Sequence, residues 1–113
     1  MLKYFGSWDS VEDQESYGYL YVNIDGSNIQ FMMQFCGDYK GKQLVIDMFE
    51  IDGVFKSKNT QLMYSFITDI FTNEHISGQY VLSNDSGTFN CEKTNICHNF
   101  KQCELEMPCC NIL

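Results

Sequence analysis

The chain has 113 residues, of which 44% are hydrophobic and 15% aromatic, so one domain with a packed core is expected and disorder is not. It contains no alanine and no arginine but has 9 phenylalanines and 7 tyrosines, a composition that favours strands over helices. A formal net charge of −8 without arginine argues against nucleic-acid binding, because such a chain repels phosphate backbones.

The beginning of the chain predicts a cytoplasmic protein. The first ten residues carry one lysine and no apolar run of signal-peptide length. No stretch approaches the ~18 apolar residues that a membrane-spanning helix requires. A microbial effector with these features would act in the host cytosol.

The first clear strand pattern lies at Tyr17–Asp25. Its alternation puts aliphatic side chains on one face and tyrosines on the other, and an Asp-Gly turn follows. The next run, Ile29–Phe35, alternates in the same way, as a half-buried strand does. A third run, Leu44–Ile51, comes after a loop bounded by glycines. These runs predict consecutive antiparallel strands.

The stretch Thr60–Phe71 fits two structures. Leu62, Phe66 and Ile70 recur at the four-residue spacing of a helix, with Asn59 or Thr60 as an N-cap. The same residues also alternate, and their composition is β-branched and aromatic. We favour a strand; the alternative is an α+β protein with one helix at about 60–71.

Two further strands are predicted near the C-terminal end, on either side of a turn at Asn84–Gly87. Ile76–Leu82 alternates, and Thr88–Lys93 follows the turn. Consecutive strands joined by short turns indicate an all-β, antiparallel up-and-down meander that closes into a small barrel. We expect a β-barrel domain at residues 1–93 and a cysteine-rich tail at 94–113 packed on the same domain.

Short motifs resemble calycins, the superfamily of lipocalin-like β-barrels. Gly6-Ser7-Trp8 matches the G-x-W of a first lipocalin strand, and Gly78-Gln79-Tyr80 and Gly87-Thr88-Phe89 are similar to late calycin hairpins. The lipocalin arginine that packs on this tryptophan has no counterpart here, and the chain is shorter than a typical lipocalin. The resemblance implies a binding barrel without naming its ligand.

The leading hypothesis is therefore a non-enzymatic barrel that binds a small, partly apolar molecule. An eight-stranded barrel has room for one small ligand or is filled by its own side chains. Asp47 shares a strand face with apolar residues and would orient a ligand if that face is internal, or stay solvated if it is external. The candidate ligand-binding residues are Phe31, Met33, Phe35, Asp47, Phe66 and Tyr80.

The alternative hypothesis is an acidic protein-interaction module, such as an effector or an inhibitor. Tyr17, Tyr19 and Tyr21 form an aromatic row that either contacts a partner or packs laterally against neighbouring strands. The oligomeric state is not predicted.

The end of the chain, Cys110-Asn111-Ile112-Leu113, fits a prenylation box, and Cys109 would accept a second lipid. Lipidation would provide membrane attachment, but the acidic surroundings disfavour it.

The cysteines near the end of the chain show a regular spacing. Cys91, Cys97, Cys103 and Cys109 follow one another at six-residue intervals, which does not match the paired spacing of zinc ligands. Disulfides remain an alternative in an oxidising compartment.

No catalytic constellation is evident. His75 and His98 belong to no recognisable motif, and no phosphate-binding loop or nucleophile elbow occurs. We therefore expect no cofactor, no metal site and, on balance, no enzymatic activity.

Overall fold

Eight antiparallel strands follow one another along the chain and close into a barrel. The computed structural model of the chain describes residues 1–12, 16–36 and 41–95. Each strand pairs with the next, and the last pairs with the first, so the closed sheet has no free edge. The strands are β1 (Leu2–Ser10), β2 (Tyr17–Asp25), β3 (Asn28–Phe35), β4 (Gln43–Ile51), β5 (Val54–Ser57), β6 (Ser65–Phe71), β7 (His75–Val81) and β8 (Ser86–Lys93).

The prediction of an all-β, up-and-down barrel is confirmed. Within the described ranges there is no helix, and hence none that is long and apolar enough to cross a membrane. The barrel strands extend from Leu2 to Lys93. Beyond them, the backbone N–H of Thr94 donates to the carbonyl of Lys3 on β1.

The ambiguous stretch at 60–71 contains strand β6. Phe66 points into the barrel and is fully buried, whereas its neighbour Ile67 is 45% exposed on the outer face. The pairing with β7 shifts between Thr68 and Ile70, which marks a β-bulge. The bulge turns Ile70 to the outer face and Phe71 to the inner face. Apolar side chains therefore occupy both faces at 66–67 and again at 70–71, and this repeat resembles the four-residue spacing of a helix.

A continuous column of aromatic rings fills the barrel. Each ring in the column lies within 6 Å of the next, measured between centroids, and most are almost fully buried. Such packing leaves no room for a ligand along the barrel axis. From one end of the barrel to the other the column comprises Phe71, Phe55, Phe31, Phe66, Tyr80, Trp8 and Phe35.

Glycines on the inner face make room for these rings. A Cβ at Gly87 would lie 2.7 Å from the hydroxyl oxygen of Tyr80, and a Cβ at Gly18 would lie 3.0 Å from Nε1 of Trp8. Both distances are shorter than normal van der Waals contacts. The same Cβ atoms would lie still closer to backbone carbonyl oxygens of the neighbouring strands, that of Asp9 for Gly87 and that of Gln34 for Gly18. Larger residues there would therefore push the strands apart as well as displace the rings.

The two ends of the barrel differ in their connections. At one end, turns of two or three residues join β2 to β3, β4 to β5 and β6 to β7. At the other, the connections are 11–16, 36–42, 58–64 and 82–85. We call this second end the loop end; longer loops on a rigid scaffold are where binding sites are usually formed.

Candidate functional site

A pocket of about 570 Å³ opens at the loop end of the barrel. All four connections at this end contribute to it, together with the adjoining ends of β3 and β4. Its described lining residues are Glu12, Ser16, Phe35, Lys42, Gln43, Leu44, Tyr64, Leu82, Ser83, Asn84 and Asp85.

The apolar part of the pocket continues the aromatic column. Phe35 lines the pocket and packs edge-on against Trp8, with the ring centroids 4.9 Å apart. Trp8, the single tryptophan of the chain, is 1% exposed, and its Nε1 has no hydrogen-bond partner within the described ranges. The base of the pocket is therefore rigid and aromatic, and it contains the natural fluorophore of the protein.

The polar part of the pocket is organised by Asp85 in the β7–β8 turn. Its Oδ1 accepts a hydrogen bond from the Ser10 hydroxyl at 2.5 Å, and its Oδ2 accepts one from the Tyr80 hydroxyl at 2.9 Å. The backbone N–H of Leu82 donates to the Asp85 carbonyl at 2.7 Å. These contacts fix the carboxylate, although each of its oxygens has a second lone pair for a ligand.

The charges around the pocket are mixed, with a negative excess. Glu12 and Asp85 carry carboxylates, and Lys42 is the basic residue among the described lining. Burial raises the pKa of Tyr80 well above its usual value, and the hydrogen bond to Asp85 adds to the effect. Tyr80 therefore stays protonated and donates its hydrogen to Asp85.

The candidate ligand-binding residues occupy three different environments. Phe35 lines the pocket, whereas Phe31, Met33 and Phe66 are fully buried inside the filled barrel. Tyr80 is also buried and touches the site through its hydrogen bond to Asp85. The structure thus brings two of these five inner residues to the site, and their role in binding stays a prediction.

Asp47 lies on the outer surface of the barrel. Its side chain is exposed, and its Oδ1 accepts a hydrogen bond from Nε2 of Gln30 at 2.9 Å. Of the two placements considered for its strand face, the external one is observed. Asp47 is not among the described lining residues of the pocket.

The tyrosine row faces outward and packs laterally. Tyr19 and Tyr21 contact the ring of Phe5, at centroid distances of 5.4 and 4.8 Å. Tyr21 is only 2% exposed, and Tyr17 is half-buried. Contact surface remains on the partly exposed Tyr17 and Tyr19 but hardly on Tyr21, and the role of the row as an interaction site stays a prediction.

Two cysteines fall within the described residues. Cys91 is a free thiol inside the barrel, and burial raises its pKa far above the usual value. Cys36 is disulfide-bonded. The candidate lipidation residues Cys109 and Cys110 lie outside the described residues.

In the described part of the chain, no group of three His, Cys, Asp or Glu side chains is arranged to hold a metal ion.

The sequence reasoning missed most of the pocket. Leu44, Tyr64, Leu82 and Asp85 were not singled out, because they are adjacent only after the barrel closes. Loop length carried a usable signal. In an up-and-down barrel alternate connections lie at the same end, so the longer loops after β1, β3, β5 and β7 had to meet there.

The fold and the pocket together define the structural class of this protein. It is a closed, eight-stranded, antiparallel β-barrel with a filled interior and a small pocket at its loop end. This architecture is compatible with a small calycin-like barrel. No protein-family model matches the chain, and no curated protein does.

Proposed function

We propose that this protein binds a small, partly apolar molecule in the pocket at the loop end, without converting it chemically. The observation that carries the proposal is the pairing of an apolar wall with a fixed carboxylate. Phe35, Leu44, Tyr64 and Leu82 supply the wall, and Asp85 supplies an oriented acceptor. Apolar linings with a few placed polar groups are typical of ligand sites.

The ligand is expected to carry a hydrogen-bond donor, such as an amine or a hydroxyl group. The free lone pairs of Asp85 accept a donor. The carboxylates of Glu12 and Asp85 outnumber the ammonium group of Lys42, so the lining as a whole repels an anionic ligand. An alkyl or aryl part of the ligand would lie against the wall formed by Phe35, Leu44 and Leu82. A carboxylate ligand would be disfavoured.

Two further features support binding rather than catalysis. The described lining residues include neither histidine nor cysteine. Tyr80 is held in its protonated form by burial, so it is a poor general base. The G-x-W resemblance to lipocalins is consistent with this proposal. In this barrel, however, the ligand would rest on the ring of Phe35 at the mouth, because aromatic rings fill the interior.

A matched ligand series tests this proposal. Hexylamine, hexanol and hexanoate share one alkyl chain and differ in the head group. Each is titrated into the full chain, with Trp8 fluorescence and the thermal midpoint as readouts, because Trp8 contacts the pocket wall. We expect hexylamine to bind at least about tenfold more tightly than hexanoate, equivalent to about 1.4 kcal/mol.

Three variants distinguish binding in the pocket from nonspecific attraction of the amine to the negatively charged protein. Leu82→Gln removes part of the wall, and Asp85→Asn removes the charge while keeping a hydrogen-bond acceptor. Val81→Thr, next in the chain but on the outer face, is the matched control. Loss of binding in the first two variants with retention in the third supports the proposal. Equal binding by all three, or no binding of any probe, overturns it.

A further inference from the structure

A row of apolar side chains crosses the outer face of the barrel. Ile51 on β4 pairs with Val54 on β5, which pairs in turn with Ile67 on β6. Adjacent strands lie about 4.8 Å apart, so the three outward side chains form an unbroken row. Ile51 is 59% exposed and Ile67 is 45% exposed. We call these three residues the apolar row.

Two more exposed side chains extend the apolar row. Phe49 precedes Ile51 on the same face of β4, and it is 36% exposed. Ile70 pairs with the outward residue Ser77 beyond the bulge, and it is 46% exposed. An apolar surface that continues across three strands is uncommon on a monomer and usually marks an interaction site.

The outward apolar side chains of β2 and β3 are not exposed in this way. On these two strands, which precede β4 in the sheet, the outward side chains Tyr21 and Met32 are 2% and 0% exposed. Tyr21 packs there against Phe5, with the ring centroids 4.8 Å apart. Unlike those two side chains, the apolar row is accessible to another molecule. Val45 and Val81 are also exposed, but their cross-strand neighbours are Met32, Ser65 and Ser86, so neither belongs to a continuous apolar row.

Acidic residues surround the apolar row. Asp47 precedes Phe49 on the outer face of β4, and Asp52 lies in the turn directly after Ile51. Asp69 lies in the bulge beside Ile70, where it accepts a hydrogen bond from Ser77. Among the described residues on this outer face, these three carboxylates accompany one lysine. That lysine is Lys56 on β5, which pairs with Phe49. The surface is thus apolar along its centre and negative at its margin.

We infer that the apolar row binds a protein partner whose aliphatic side chains are flanked by lysine or arginine. The partner's aliphatic side chains would cover the apolar row and remove both surfaces from water. The partner's lysine or arginine side chains would face the carboxylates of Asp47, Asp52 and Asp69. A second copy of this chain fits poorly, because its own acidic margin and net charge of −8 would oppose association. The closed sheet offers no edge for strand addition, so recognition occurs through side chains.

A pair of synthetic peptides tests this inference. One alternates leucine and lysine, and the other alternates leucine and glutamate at the same length. Each is labelled and titrated with the full chain by fluorescence anisotropy at physiological salt. We expect the lysine peptide to bind at least about tenfold more tightly than the glutamate peptide.

Two sets of variants distinguish this surface from the overall negative charge. The double variant Ile51→Thr/Ile67→Thr leaves the charge unchanged, and Val45→Thr, at another exposed position on β4, is its control. Asp47→Asn/Asp69→Asn removes two charges but keeps the acceptors for Gln30 and Ser77. Asp25→Asn/Glu92→Gln removes two exposed charges elsewhere.

The inference requires a loss of about tenfold or more in affinity for the lysine peptide in the threonine double variant, with Val45→Thr unchanged. It also requires Asp47→Asn/Asp69→Asn to weaken binding of the lysine peptide more than Asp25→Asn/Glu92→Gln does. Equal losses in both charge variants, or no loss in the threonine double variant, would show only nonspecific attraction and overturn it. Sedimentation showing a dimer that Ile67→Thr dissolves would assign the row to a second copy and would also overturn it.

Discussion

At the scale of single residues, the Asp85 carboxylate is the group that joins the fold to the proposed site. It receives hydrogen bonds from Ser10 at the end of β1 and from Tyr80 at the end of β7. The same carboxylate lines the pocket. Its position in the β7–β8 turn is therefore fixed from its own hairpin and from β1, and a ligand would meet an acceptor that needs no reorganisation.

The raised pKa of Tyr80 predicts a loss of stability in alkaline solution. Burial and the hydrogen bond to Asp85 favour the protonated phenol in the folded state. In the unfolded state a tyrosine titrates at about pH 10. The stabilisation from Tyr80 is thus complete below about pH 10 and is lost as the pH rises further, because only the unfolded chain readily releases the proton.

Urea denaturation at a series of pH values above neutrality tests this effect, with Tyr80→Phe for comparison. The variant is less stable throughout, because it leaves Asp85 one donor short, but its free energy of unfolding should fall less steeply above pH 10. Tyr4 and Cys91 also have raised pKa values and give both proteins a residual slope. Identical slopes in the two proteins would contradict the assignment.

At the scale of elements, the tight turns opposite the loop end depend on backbone conformations that favour glycine. Asp52 and Gly53 both have positive φ, 51° and 81°, as a two-residue hairpin turn requires. Gly26 in the β2–β3 turn has a φ of 61°. A Cβ at Gly53 would lie 2.9 Å from Oγ1 of Thr68, whereas a Cβ at Gly26 would meet nothing within 4 Å.

Alanine substitutions should therefore have unequal effects in these two turns. We expect Gly26→Ala to cost about 1 kcal/mol of unfolding free energy, through backbone strain alone. Gly53→Ala should cost more, because the new methyl group also presses on Thr68, which donates to the Gly53 carbonyl. Chemical denaturation measures both. A Gly53→Ala cost no larger than that of Gly26→Ala would contradict the proposed contact.

The strands differ in how far the sequence predicts them, and the reason is physical. In β2 and β3 most inner positions are aliphatic or aromatic, whereas most outer positions are tyrosine, asparagine or glutamine, so alternation marks both strands clearly in the sequence. β5 has only four residues, which is too short for a periodic signal. β6 contains a bulge, which interrupts the alternation between Phe66 and Ile70. Strands that are very short or contain a bulge do not show the two-residue alternation from which strands are predicted.

At the scale of the whole molecule, core and site are separate parts of one barrel. Phe66 packs against the rings of Phe31, Tyr80 and Phe89, with centroid distances between 4.6 and 5.8 Å. Leu82 lies at the pocket and is only half-buried. The residues that stabilise the barrel therefore lie mainly below the residues that would contact a ligand.

Truncations at these two positions should separate stability from binding. Phe66→Ala is expected to cost about 3 to 5 kcal/mol of unfolding free energy, because it leaves a cavity among three rings. Leu82→Ala should cost much less and weaken ligand binding instead. Calorimetry and hexylamine titration of both variants measure the two effects. A large stability loss for Leu82→Ala with unchanged binding would contradict this separation.

Loop lengths indicate the end of the barrel at which the pocket lies, but most of the residues that line it could not be identified from the sequence. Glu12 and Asp85 lie 73 positions apart and meet only through the β1–β8 closure. Large residues on an inner face, such as Phe31 and Phe66, are equally suited to line a cavity or to fill it. Which of the two occurs depends on how the rings pack, and alternation alone carries no information about that.

The most direct test of the account is a map of the ligand position. Amide spectra by nuclear magnetic resonance are recorded for the full chain during titration with hexylamine. We expect shifts centred on Phe35, Leu44 and Leu82–Asp85, with the amides of Phe31 and Phe55 unchanged. Shifts centred on Phe31 and Phe55, or spread over the acidic outer surface, would contradict a ligand site at the mouth of a filled barrel.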